Sequence, residues 1–169
     1  MISNPLLKDK IVLVVDDEPD ILETVKEILS MCLIHEAQDY DHALQYILSY
    51  NYDAVILDIM GVNGFELLKE SVLRGFPTLM LTAHALSPES LKKSIKLGAV
   101  SFLPKEKILE LPPYLEEILL GKGKTVWRRL FEEMGDFFNR KFGPDWKERD
   151  RFFKEFEEEL RKEMGITNR

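Results

Sequence analysis

The chain has 169 residues, 45% of them hydrophobic, so it can bury one sizeable core with length left over. A formal net charge of −7 argues against a surface that binds nucleic acid or anionic lipid as a whole. Cys32 is the single cysteine, which excludes an internal disulfide framework and a cysteine-built zinc site. Lys8, Asp9 and Lys10 stand where a signal peptide would have its apolar core, and no uncharged stretch reaches membrane-spanning length. The expected setting is the cytoplasm, with no membrane partner.

Ile11-Val12-Leu13-Val14-Val15 is a continuous apolar run that ends abruptly in acids, the pattern of a parallel strand covered on both faces. Behind Pro19, which suits a first helical turn, Ile21, Leu22, Val25, Ile28 and Leu29 recur at helical spacing. The alternation repeats with strands over 33–37, 54–57, 78–81 and 100–103 and helices over 41–50, 65–73, 89–97 and 114–120. These βα units predict a doubly wound α/β fold, an open parallel sheet with right-handed crossovers.

At Gly121-Lys122-Gly123-Lys124 the composition changes. Up to residue 120 there are 10 basic and 19 acidic side chains; beyond it there are 13 basic and 11 acidic. Trp127, Phe131, Met134, Phe138 and Phe142 form one apolar stripe, widened by Phe137, and Gly143-Pro144 interrupts it. Asp145 is placed to cap a second helix carrying Phe153, Phe156, Leu160 and Met164, with Phe152 beside them. The expected organisation is an α/β domain over 1–120 and a C-terminal helical hairpin over 121–169.

Ligands of a doubly wound sheet sit beyond the carboxyl ends of its strands. Asp16 and Asp17 follow the first strand, Asp58 the third, Thr82 the fourth and Lys105 the fifth. Carboxylates gathered in one pocket repel each other, and a hard divalent cation with oxygen ligands, Mg2+ above all, relieves them. A lysine ammonium and a threonine hydroxyl aimed at the same place suit a transferring phosphoryl group. Taken singly, each residue has a plainer role: the acidic pair as a helix cap, Thr82 as a turn cap, Lys105 as a solvated lysine. His35, His42 and His84 lack companions at ligand spacing and read as solvated or structurally satisfied; His84, two residues past Thr82, is the one near enough to tune the site.

With these five positions in this order, residues 8 to 120 resemble the receiver domain of bacterial two-component response regulators, the family of the chemotaxis regulator. The resemblance implies a flavodoxin-like sheet of strand order 2-1-3-4-5. It implies that Asp58 accepts a phosphoryl group from a sensor histidine kinase or phosphotransfer protein, and that Asp16 and Asp17, with Asp58 and the Met60 carbonyl, hold Mg2+. Thr82 and Lys105 would contact the phosphoryl group, and Thr82 with Phe102 would form the switch. On this reading the chain is no conventional enzyme, but a phosphoprotein that catalyses its own phosphorylation and dephosphorylation. Two features depart from the family. Pro104 precedes the lysine rather than following it, leaving Leu103-Pro104 as the only place for a cis bond there. The turn Ile59 to Gly64 is shorter than usual and has no proline.

Two other functions fit parts of the pattern. A magnesium-dependent phosphohydrolase also uses a strand-end aspartate, but normally with a second acid two residues on, where this chain has Met60. A phosphorylation-independent docking scaffold would not need the five-residue set. Residues 121–169 contain no His, Cys or Ser, which excludes a phosphotransfer histidine there. Lys122, Lys124, Arg128, Arg129, Arg140 and Lys141 are interleaved with acids, a weak case for nucleic acid. The hairpin is expected to be the output element, its stripe buried on the receiver, on a second copy in a homodimer, or on a downstream protein.

Overall fold

The computed structural model describes residues 5–121 and 123–163; Lys122 and Met164 lie outside them. Five strands, β1 (Ile11–Val15), β2 (Leu33–Ala37), β3 (Ala54–Leu57), β4 (Thr78–Thr82) and β5 (Ser101–Pro104), form one parallel sheet of order β2-β1-β3-β4-β5. Every residue of β3, β4 and β5 is buried, as the unbroken apolar runs require of strands covered on both faces.

The strands are separated by α1 (Pro19–Ile28), α2 (Tyr40–Ser49), α3 (Gly64–Leu73) and α4 (Pro88–Lys96). Their starts have local causes. Asp39 caps α2 by accepting the His42 amide, and Ser87 and Ser90 form a reciprocal capping box on α4. After β5 a 3-10 helix over Lys105–Glu110 leads into α5 (Leu111–Leu119), which begins three residues before the predicted start because Pro112 and Pro113 are tolerated in a first turn. Leu103-Pro104 is trans.

The tail departs from the predicted hairpin. It forms three helices, α6 (Gly123–Glu133), α7 (Gly135–Phe142) and α8 (Arg151–Glu163), because the stripe that looks continuous is broken at Met134. Asp145 does not cap the last helix; Asp150 does, its Oδ1 accepting the Phe152 amide at 2.9 Å. The aromatic stripe is covered within the chain. Val126 and Leu130 are fully buried, and α6 packs against α5 and β5. Tyr114 donates its hydroxyl to Glu133 at 2.9 Å, Arg129 pairs with Glu117, Lys92 of α4 pairs with Asp150 at 3.0 Å, and Lys141 pairs with Glu106 at 2.9 Å. Buried residues of both parts therefore form one continuous core. No described helix is long and apolar enough to cross a membrane.

Candidate functional site

The parallel register carries Asp16, Asp58, Thr82 and Lys105 to the carboxyl edge of four adjacent strands. Asp16, Asp58 and Lys105 are buried, and Asp17 is exposed at the mouth. Ligand oxygens of Asp16, Asp17 and Asp58 lie within 4.8 Å of one another. The Lys105 Nζ lies 2.8 Å from Asp58 Oδ2, to which it donates, 2.8 Å from Asp16 Oδ2 in an ion pair without hydrogen-bond alignment, and 3.3 Å from Glu18 Oε2.

Backbone amides hold the remaining carboxylate oxygens. Asp58 Oδ1 accepts from the Ile59 amide at 2.7 Å and Asp16 Oδ1 from the Glu18 amide at 2.9 Å. Burial pushes the Asp16 carboxyl up to about 6 against the opposing pull of the Lys105 ammonium and the Glu18 amide, with the Asp58 charge adding to the rise. Lys105 is pulled the other way: burial alone would lower it, but its contacts with Asp16 and Asp58 outweigh that and hold it above the ordinary lysine range. Its ammonium is thus fixed as a cation facing the acids.

Two buried polar atoms of the site, Asp16 Oδ2 and Thr82 Oγ1, have no hydrogen-bond partner among the described residues, although the first is ion-paired with Lys105. Thr82 therefore does not cap the following turn, the plainer role open to it. A buried hydroxyl left without a partner, as at Thr82, is costly unless something is meant to reach it. The three clustered carboxylates fit a hard cation, and the Thr82 hydroxyl with the Lys105 ammonium fits an oxyanion. Phe102 is fully buried in β5, and the Met60 side chain is exposed beside the site.

The short turn after Asp58 is closed by two left-handed residues, Gly61 at φ +83° and Asn63 at φ +55°. A Cβ on Gly61 would stand 2.3 Å from Asp17 Oδ2, so the loop backbone lies directly against that carboxylate. Gly64 is tighter still: a Cβ there would meet the Asp58 carbonyl at 1.9 Å and Ile59 Cα at 2.7 Å, both backbone atoms that cannot swing aside. Gly64→Ala is expected to destabilise the fold by about 1–3 kcal/mol through this overpacking. A urea midpoint unchanged from the wild type would count against so close an approach.

The histidines are satisfied locally. His35 Nδ1 meets the Tyr52 hydroxyl at 2.8 Å and His42 meets Asp39. His84 Nε2 lies 3.3 Å from Glu18 Oε1. Glu18 is the site residue that the sequence reading passed over. A signal was present, because the residue before Pro19 is a helix N-cap, where Ser, Thr, Asp and Asn are preferred and a glutamate's longer side chain is free for another use.

Comparison with known proteins agrees with this architecture. Residues 12–111 match the family described as the response regulator receiver domain. Response regulator MprA of Mycolicibacterium vanbaalenii is 32% identical over 130 residues, covering 73% of this chain and 53% of MprA. Among solved structures, response regulator protein TrrA of Thermotoga maritima, in complex with Mg(2+)-BeF, is 34% identical with a TM-score of 0.57, covering 64% of this chain and 98% of that one. The receiver domain of Francisella response regulator 1452 is 26% identical with a TM-score of 0.60, covering 68% and 99%. The chain belongs to the response regulator receiver family of two-component signalling. It spans about half the length of the curated relatives it matches.

Proposed function

We propose that this chain accepts a phosphoryl group on Asp58 from the phosphohistidine of a sensor kinase or phosphotransfer protein. The observation that carries the reading is the buried set of Asp16, Asp58, Thr82 and Lys105 at the carboxyl edge of the sheet, in which an ammonium pairs with two carboxylates and the Thr82 hydroxyl has no hydrogen-bond partner among the described residues. Asp16 and Asp17, with Asp58 and the Met60 carbonyl, would hold Mg2+, whose charge would neutralise the acids and stabilise the negative charge of the transferring phosphoryl group. Asp58 attacks phosphorus through a carboxylate oxygen, the bond to the donor nitrogen breaks, and its electron pair leaves with the imidazole. Lys105 and the Thr82 hydroxyl bind the equatorial oxygens, where charge accumulates. That response regulator protein TrrA, 34% identical, is found in complex with Mg(2+)-BeF supports magnesium as the cation.

Residues 1–120 would act as the receiver and 121–169 as the element that reads it, in the cytoplasm. Incubation with a small acyl phosphate and magnesium, followed by mapping, is expected to find the acyl phosphate on Asp58; a major label elsewhere overturns the assignment. Asp17→Ala is expected to weaken Mg2+ binding by about 10-fold or more, because it removes an oxygen from a site with few to spare. Unchanged affinity in a magnesium titration would exclude Asp17 as a ligand.

A further inference from the structure

Lys105 carries three N–H donors, and three carboxylates stand around it. Asp58 Oδ2 and Asp16 Oδ2, both at 2.8 Å, belong to buried side chains held at their other oxygens by backbone amides. Glu18 differs in each respect. Its Oε2 is at 3.3 Å, its side chain is 42% exposed, and its other oxygen meets His84, itself 71% exposed. The contacts bridge parts of the chain 87 and 66 residues apart, so the Glu18 side chain forms a strap from the start of α1 to Lys105 and to the loop after β4.

A phosphoryl group built on Asp58 needs a donor from Lys105, and that ammonium already donates to Asp58 and Glu18 and pairs with Asp16. The buried acids cannot withdraw without leaving an unpaired charge in the interior, whereas Glu18 returns to water at little cost. We propose that Glu18 is a positioning residue that acts through Lys105 as an internal competitor, occupying the lysine donor that an incoming phosphoryl oxygen takes. Resting on the phosphoacceptor reading above, this makes Glu18 a brake on loading: its carboxylate repels the anionic donor and must be displaced before Lys105 engages the phosphoryl group.

Two substitutions separate charge from reach. Glu18→Gln keeps the length and removes the charge; Glu18→Asp keeps the charge but is one methylene too short to hold Lys105. Both are expected to tighten beryllofluoride binding at saturating magnesium, read by fluorine NMR, and to speed labelling by a small acyl phosphate, each by about 3- to 5-fold, the scale of a part-exposed ion pair. Magnesium titrated alone should bind Glu18→Gln no more tightly than the wild type. Tighter magnesium binding would place the gain in the metal and overturn the brake. So would a Glu18→Asp variant that stays within 2-fold of the wild type, or weaker anion binding in both variants. If the wild type itself takes neither beryllofluoride nor label, the phosphoacceptor reading fails; if it loads and neither variant loads faster than it does, that reading stands and only the brake falls.

Discussion

Asp58→Asn should abolish acyl phosphate formation, a loss of about 1000-fold or more, the scale of removing a nucleophile outright. Asp58 is a buried strand-end carboxylate whose Oδ2 faces a fixed ammonium at 2.8 Å and whose Oδ1 is held by the Ile59 amide. Asparagine keeps the volume and an oxygen for that amide, and Lys105 retains Asp16 and Glu18 as partners, so the fold should survive. Replacing Lys105 would be a poorer test. It strands Asp16 and Asp58 as buried charges, and breaking such pairs costs about 3–5 kcal/mol. Labelling of Asp58→Asn with a small acyl phosphate, beside a urea denaturation curve, separates lost chemistry from lost structure. Substantial label on the folded variant would move the acceptor to another residue.

What the sequence disclosed and what it hid divide along a physical line. β1 was legible because a strand buried on both faces must be apolar throughout, and Ile11–Val15 is. The strand-end residues were legible because parallel topology brings them to one edge whatever the loop details. The start of α5 was obscured because a 3-10 segment lacks the α-helical period and the two prolines after Leu111 resemble a break. The turn after Asp58 was read as short, but only the structure gives its closure by Gly61 and Asn63 in left-handed conformations. Glu18 escaped because its partners, Lys105 and His84, are its neighbours only in three dimensions. The tail's stripe was correctly expected to be covered, yet the break at Met134 fell between residues that keep helical spacing on either side.

Trp146 in the turn between α7 and α8 had no periodicity to reveal it, and it anchors the tail. It is 3% exposed and lies among Phe153, Phe142, Phe138 and Phe131 at ring-centroid distances of 4.9, 5.2, 5.8 and 6.3 Å. Its Nε1 donates to Asn139 Oδ1 at 3.0 Å, which satisfies the one polar atom that burial would otherwise strand. Trp146→Ala should cost about 3–5 kcal/mol, because the rings around it belong to three different helices and cannot close over so large a void. The loss should spread in a defined direction. Phe152 sits under the ammonium groups of Lys92 and Lys96 and Asp150 pairs with Lys92, so loosening α8 also frees α4. By contrast, α2 packs on α3 and on β2, the strand at the opposite edge of the sheet from β5. Hydrogen exchange of the variant should therefore rise across residues 135–163 and 88–96 while α2 keeps its protection, and the uncovered stripe should promote self-association in sedimentation. A variant with wild-type protection across the tail would remove Trp146 as its anchor, and equal loss in α2 would mean that tail and sheet unfold as one cooperative unit.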